Sequence, residues 1–424
     1  MSKQFTVVCH INDGDRGEIS LIKFDGAEFS AIPVKITSGS QSDDTIPKAF
    51  VGADSEGQFL FMDQKSKVVT VSQEFPENTY VPYAYPGTNN NEFWYVNDGD
   101  KKTGVDDINC NGKGSSVVVI ARNDNESGVG QVNVKKTICV GRGHHVVTIP
   151  FANSRHPDIP RHAYVSNLLD GTISVLSNDE DSPDYLEILN TINLCEPEKE
   201  KSATMSVPNN AFPHGLAYSP ETGKVYNLNN GYQTIVVIDP IDQSITNRIE
   251  LKVSSNLLLS PDSLYLIGKG ADRKSDDTHV IGRLSVIDIV NEKVETAIDL
   301  IDLYPSTYRF NKSGDKLYVT SASTGKGVQK ENLKFDVLQI YDATALPKLE
   351  LLKEIKVGVA DCGRRPLAFF NDDVHDFVFV PNPTDGTISV LDGKRDEIIA
   401  TLKVTNLKVS EVTFSFWQGN TNGC

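Results

Sequence analysis

Three segments of this chain repeat one hairpin. They are HAYVSNLLDGTISVLSND (162–179), KVYNLNNGYQTIVVIDP (224–240) and HDFVFVPNPTDGTISVLDG (375–393). Each runs from an alternating apolar stretch through an Asn and a Gly-containing turn into a second alternating stretch that ends near Asp. Alternation at period two marks half-buried strands. An Asn-Gly or Asp-Gly turn supplies the positive φ of a tight hairpin. A repeated strand–turn–strand unit restricts the chain to architectures that stack such units.

Degenerate copies extend the series. EFWYVNDGD (92–100) continues after an insertion into SSVVVIARN (115–123), KLYVTSAS (316–323) and VLQIYDATALPKLELLKEIKV (337–357) flank another insertion, and VVCHINDGDRGEISLIKF (7–24) is a weak copy. Before the hairpins come strands with their own turn signals, such as GLAYSPETG (215–223), NLLLSPDS (256–263) and LAFFNDD (367–373). Four strands per unit, at a spacing of roughly 45–60 residues, is the blade of a β-propeller. Eight candidate innermost strands start near Lys48, Tyr80, His145, His214, Asn256, Tyr308, Leu367 and Glu411. The unit from Lys48 to Phe75 lacks an outer strand, so the expectation is seven blades, with eight as the alternative. EVTFSFW (411–417) is a strand without a hairpin, and residues 5–36 hold a hairpin and outer strand without an inner one. The two are expected to share one blade and close the ring, which removes free sheet edges. Residues 1–424 then form one all-β propeller domain.

With 57 acidic and 41 basic residues the formal net charge is -16. That argues against a nucleic-acid surface, which needs a basic stripe. No run approaches the length of a membrane span. The start, MSKQFTVVCHINDGD, lacks the apolar core and cleavage site of a signal peptide. Read with Met1 as native, it leads to the expectation of a cytoplasmic protein. The cysteines Cys9, Cys110, Cys139, Cys195, Cys362 and Cys424 form no CxxC pair, and a chain of this size needs no disulfides, so reduced structural thiols are expected.

The stretches HAYVSNLLDGTISVL, KVYNLNNGYQTIVVID and FVFVPNPTDGTISVLDG resemble the YVTN-type propeller repeat; the WD dipeptide of WD40-like propellers is absent. More weakly, the chain is similar to the cytoplasmic propeller lactonases and to the propeller domains of cytochrome d1 and nitrous-oxide reductase. The resemblance covers most of the chain from Leu216 onward and weakens toward the N-terminus. It implies a fold and leaves the chemistry open, because propellers host hydrolases, oxidoreductases and scaffolds alike.

Propeller ligands bind where the starts of the inner strands converge on the central channel. Candidates there are Lys48, Tyr80, His144, His145, His214, Tyr308, Arg364, Arg365 and Glu411. His145, His214 and Glu411 are suited to activating water, and Arg364 to holding an oxyanion or a small anionic molecule. His10, His144, His145 and His214 are candidate ligands of a transition metal (copper, zinc or iron), since neutral imidazole is the commonest ligand. Histidines at such junctions also often bond only a neighbouring backbone, and an Arg before an inner strand can equally tie two blades together. Cys139 and Cys362 precede inner strands and would bias a site toward copper or zinc, although free Cys is more often a small buried hydrophobe. No Walker A, GxSxG, GxGxxG or CxxCH motif is present. Three functions are therefore in view: a ligand- or protein-binding platform, with loops 36–47, 100–114 and 323–334 as its contact surfaces; a lactonase-like hydrolase; and a metal-binding or metal-dependent redox propeller.

Overall fold

The computed structural model describes residues 5–12, 17–34, 48–53, 58–63, 69–74, 83–86, 92–97, 110, 115–124, 130–141, 143–148, 155–200, 204–323, 331–361, 365–406 and 411–417, in some strands by backbone alone. The chain is all-β. Helical residues, among those described, are confined to short 3-10 turns such as Pro197–Lys199, and no helix among them is long and apolar enough to cross a membrane.

The strands fall into successive antiparallel sheets, numbered here in chain order. β1 (Phe5–Asn12), β2 (Gly17–Phe24) and β3 (Phe29–Val34) begin sheet 1. β4 (Lys48–Ala53), β5 (Gln58–Asp63) and β6 (Val69–Glu74) make sheet 2, three-stranded among the described residues. Sheet 3 holds β7 (Tyr83–Pro86), β8 (Glu92–Asn97), β9 (Ser115–Asp124) and β10 (Gly130–Val140). Sheet 4 holds β11 (Gly143–Thr148), β12 (His162–Asn167), β13 (Thr172–Ser177) and β14 (Ile188–Asn193). Sheet 5 holds β15 (Pro213–Ser219), β16 (Lys224–Asn229), β17 (Thr234–Ile238) and β18 (Ile245–Glu250). Sheet 6 holds β19 (Asn256–Leu259), β20 (Tyr265–Asp272), β21 (Ile281–Asp288) and β22 (Lys293–Ile301). Sheet 7 holds β23 (Pro305–Phe310), β24 (Lys316–Ser321), β25 (Val337–Asp342) and β26 (Glu350–Lys356). Sheet 8 holds β27 (Ala368–Asn371), β28 (Asp376–Asn382), β29 (Thr387–Asp392) and β30 (Glu397–Lys403). The last strand, β31 (Glu411–Trp417), pairs antiparallel with β1, from Thr6↔Trp417 to Asn12↔Glu411, so sheet 1 has the order β3–β2–β1–β31. Four-stranded antiparallel sheets in series are consistent with a β-propeller.

The hairpin turns follow the sequence reading in two of the three repeats. Gly171 and Gly386 stand at φ +70 and +61 just before the first Thr of the returning strand. In the third, that place belongs to Gln233 (φ 57) and not to Gly231, so the Gly of NNGYQT does not supply the positive φ. Outer strands share a second device. Every sheet except sheet 1 has a register shift between its outermost strand and the next, for example at Val175/Leu176, Val286/Ile287 and Val390/Leu391. A bulge bends an edge strand away from a foreign strand that would otherwise pair with it.

The core lies between sheets. Trp94, Val119, Ala163 and Leu176 join sheets 3 and 4. Tyr164, Val175, Val225 and Val236 join 4 and 5, Tyr226, Ile235, Leu266 and Ile287 join 5 and 6, and Ile267, Val286, Leu317 and Tyr341 join 6 and 7. Tyr318, Leu338, Val378 and Leu391 join 7 and 8. Sheet 8 in turn packs Phe377, Phe379 and Ile388 on Cys9, Ile22 and Phe24 of sheet 1. β31 of sheet 1 lies against β4, and β6 of sheet 2 against β10. Each buried large side chain here contributes about 1.5–3 kcal/mol relative to exposure.

One chemical expectation is corrected. Cys110 and Cys139 form a disulfide with Cα atoms 5.5 Å apart, so these two are not reduced thiols and Cys139 is not a thiolate ligand. Cys9 and Cys195 are free and buried, as small hydrophobes. Cys362 and Cys424 lie outside the described residues.

Candidate functional site

The backbone register locates the starts of the inner strands. In β11, Gly143 pairs with Asn167 and His145 with Ser166, leaving His144 as an extra residue in a bulge. In β15, Pro213 pairs with Asn229 and Leu216 with Asn227, leaving His214 and Gly215 in the shift. In β23, Pro305 pairs with Ser321 and Tyr308 with Val319, leaving Ser306 and Thr307. A bulge re-aims side chains, and these three stand at the same place, opposite the end of the second strand. β11 lies against β15, so the two histidine-bearing bulges belong to neighbouring inner strands. His214 is half-buried. For His144 and His145 the backbone alone is described.

Glu411 also starts an inner strand, opposite Asn12 at the end of β1. His10 pairs with Thr413, two residues further along. Asn12, and not His10, therefore stands opposite the start of the inner strand in this sheet. Lys48 starts β4 opposite Asp63. Tyr80, Arg364 and the loops 36–47 and 324–330 lie outside the described residues, as do the side chains of His10 and Glu411.

Arg365 is the clearest departure from a ligand-binding role. It is fully buried. Nε donates to the Pro381 carbonyl at 3.0 Å, Nη1 to those of Ser321 (3.0 Å) and Phe335 (3.2 Å), and Nη2 to the Gly358 carbonyl (3.0 Å) and Asn382 Oδ1 (2.7 Å). The guanidinium thus ties sheet 7 to sheet 8 through neutral acceptors. Burial lowers its pKa to about 10, opposed by Asp336 and Asp385. Tyr308 is likewise a wall residue: it is buried, and its hydroxyl donates to the Ile267 carbonyl of sheet 6 at 2.9 Å.

The sequence reading missed Lys269, in the middle of β20 and opposite Asn256 at the start of β19. Its ammonium donates to the carbonyls of Pro305 (3.2 Å) and Ser306 (2.6 Å) at the start of β23, and lies 5.5 Å from the Tyr308 ring centroid. Burial lowers its pKa to about 8. The available signal was a lone Lys between two glycines in the apolar run YLIGKGA. Also missed was the connection between β14 and β15, which is wired down by buried polar groups. Asn209 Nδ2 donates to Gly171 O and Ser206 O, Glu200 accepts from the Asn210 amide and from Tyr232, and buried Glu196 accepts from Thr234 and pairs with Lys199 at 3.0 Å. The same connection leaves Met205 and Val207 exposed.

Among the described residues no group of three or more His, Cys, Asp or Glu is placed to hold a metal ion.

No family model matches the chain, and no curated protein sequence matches it. Solved structures do. The periplasmic gluconolactonase PpgL of Pseudomonas aeruginosa is 14% identical over 97% of this chain and 99% of its own, with a TM-score of 0.58. A candidate 6-phosphogluconolactonase of Bacteroides uniformis is 13% identical over 97% and 99%, at 0.54. The dihydro-heme d1 dehydrogenase NirN is 13% identical over 87% of this chain and 65% of its own, at 0.56. At such identities the likeness is one of fold.

Proposed function

We propose that the chain is an eight-bladed propeller, closed by β31 in sheet 1, that binds a small anionic molecule at the face where its inner strands start. Eight blades rather than seven are favoured by the three-stranded sheet 2, and closure by the packing of sheet 8 on sheet 1. Deleting residues 408–424 removes an inner strand and is expected to abolish cooperative thermal unfolding; a native-like melt of the truncated chain sinks the closed ring.

The observation that carries the binding reading is the matched pair of bulges bearing His144 and His214 on adjacent inner strands. Imidazoles re-aimed from equivalent places can serve one ligand, and His145, Arg364 and Glu411 are the further groups proposed to serve it. Calorimetric titration with gluconate tests it: His214→Ala should weaken binding at least tenfold with an unchanged melt, and equal affinity rejects the site.

A second reading, hydrolysis of a sugar lactone, is favoured by the two lactonase-like structures that this chain matches along nearly its whole length. An imidazole or Glu411 would take a proton from water as its oxygen adds to the lactone carbonyl. The ring C–O bond then breaks, the ring oxygen regains the proton, and Arg364 holds the developing oxyanion. Acid release from gluconolactone that disappears in the His214→Ala/Arg364→Ala double variant supports this reading, and its persistence places the chemistry elsewhere. Metal analysis of the purified protein tests His10, His144, His145 and His214 as ligands. The disulfide favours an oxidising compartment over the cytoplasm; an intact mass showing two free thiols at Cys110 and Cys139 after isolation without reductant returns the chain to the cytoplasm.

A further inference from the structure

Two buried polar atoms on one face of a single strand have no partner. In β12, His162 and Tyr164 are two residues apart and so share a face. Tyr164 is fully buried and packs on Tyr218, Val225, Val236 and Ile238 of sheet 5; His162 is 9% exposed. Neither His162 Nδ1 nor Tyr164 Oη has a hydrogen-bond partner. Their rings meet edge to face with centroids 6.4 Å apart.

The other deeply buried tyrosines behave differently. Tyr308 donates to Ile267 O, Tyr318 to Asp396 Oδ1 and Tyr341 to Gln339 Oε1. A third unpartnered atom belongs to the same interface. Asn227 Oδ1 of β16 is buried and bare, on the face that Val225 turns to sheet 4. Leaving a buried polar group unsatisfied costs about 1–3 kcal/mol, so three at one interface would be a heavy charge on the fold.

We propose that the interface between sheets 4 and 5 is an internal hydration site, with a water molecule bridging His162 Nδ1 and Tyr164 Oη and a second bound at Asn227 Oδ1. Water suits this donor set better than an ion. The surroundings are largely apolar and penalise charge, and burial keeps His162 below its ordinary pKa and hence neutral. A phenol and a neutral imidazole each offer donor and acceptor capacity, and water, with two of each, satisfies them in either tautomer. The site is separate from the proposed ligand face, since His162 begins the second strand of its sheet, at the opposite end from Asn167 and its partner Gly143.

A crystal structure at a resolution that shows ordered solvent tests this. The expected result is one water peak at about 2.7–3.2 Å from both His162 Nδ1 and Tyr164 Oη. An empty site, density for a larger solute, or rotation of either ring onto a protein partner overturns it. A second test uses urea unfolding of His162→Phe, Tyr164→Phe and the double variant. A shared water makes the two changes interdependent, so the double variant's unfolding constant should fall short of the product of the single effects by about threefold or more. Multiplicative effects overturn the bridge.

Discussion

Sheets 4 and 8 carry almost the same hairpin and complete it differently. Asn167 Nδ2 donates to Thr172 Oγ1 (2.9 Å) and Ser174 Oγ (3.0 Å); Asn382 Nδ2 donates to Thr387 Oγ1 and Ser389 Oγ, both at 3.0 Å. Each asparagine is closely approached by a glycine of the preceding connection. A Cβ on Gly141 would come within 2.7 Å of Asn167 Cγ, and one on Gly358 within 2.6 Å of Asn382 Cγ. There the likeness ends. Asn382 Oδ1 accepts from the buried Arg365, whereas Asn167 Oδ1 is buried with no partner. The hairpin is the copied part of the repeat, and the chain leading into the inner strand is the part that differs. Connections can vary because they do not set the register of the ladder, which is why function concentrates in them.

The largest way to break this comparison is to remove the cation of sheet 8. Arg365→Met leaves four carbonyls and one amide oxygen buried without their donor. We expect a loss of about 3–5 kcal/mol in urea unfolding, the range for stripping a partner from a buried charged network. Arg365→Lys should recover little, because an ammonium cannot span five acceptors arranged for a planar fork. A loss of less than about 1 kcal/mol would mean that the guanidinium does not hold sheets 7 and 8 together.

Truncating the two asparagines sharpens the contrast. Asn382→Ala removes two hydrogen bonds and also an acceptor of Arg365, and should cost about 2–3 kcal/mol. Asn167→Ala loses two similar bonds but also deletes an unsatisfied oxygen, and should cost about 1 kcal/mol. Equal shifts in the two urea midpoints would show that the unpaired Oδ1 of Asn167 finds a partner in solution.

The same division explains what the sequence revealed. Period-two runs and the NLLDGTIS and NPTDGTIS turns expose the hairpins directly, because alternation and turn chemistry are local. The pairing of β31 with β1 could be foreseen from one strand lacking a hairpin and one hairpin lacking an inner strand. Arg365 could not be singled out from Arg364 by sequence, since both precede Pro366 and only the fold shows that the Arg365 guanidinium turns inward. Lys269 was hidden for a related reason: the carbonyls it binds, at Pro305 and Ser306, belong to the next sheet. The Cys110–Cys139 bond joins residues on either side of β9 and leaves no spacing motif. Part of the acidic content has a local cause too. Asp239, Asp288, Asp342 and Asp392 each accept from backbone N–H groups of the turn that follows, so these four carboxylates close turns.

The smallest expected effect separates the two sheets by pH. His162 of sheet 4 has its pKa lowered from 6.5 by burial. As pH falls below 6.5 the unfolded chain takes up a proton that the folded sheet resists, so this contribution to stability declines through the window down to the lower folded value. Two carboxylates of sheet 8, Asp372 and Asp392, act later, while burial raises the pKa of Asp376 at the start of β28, so that its protonation on acidification favours the folded sheet. At Asp392 burial raises the pKa, but the N–H groups and guanidinium of Arg395 and the Lys394 amide outweigh it and hold the group below 3.8; Asp372 is held down in the same way by His375 and Val374. Their stabilisation is complete above 3.8 and is lost only as pH drops through the still lower folded values. Amide hydrogen exchange, corrected for intrinsic rates, should therefore show β12 and β13 losing protection between 6.5 and 3.8 while β28 and β29 hold theirs. In His162→Phe the loss in that window should disappear, because no imidazole remains to titrate against Tyr164. If β12 and β28 lose protection together, or if the variant follows the parent protein, burial of His162 is not what sets the acid response of sheet 4.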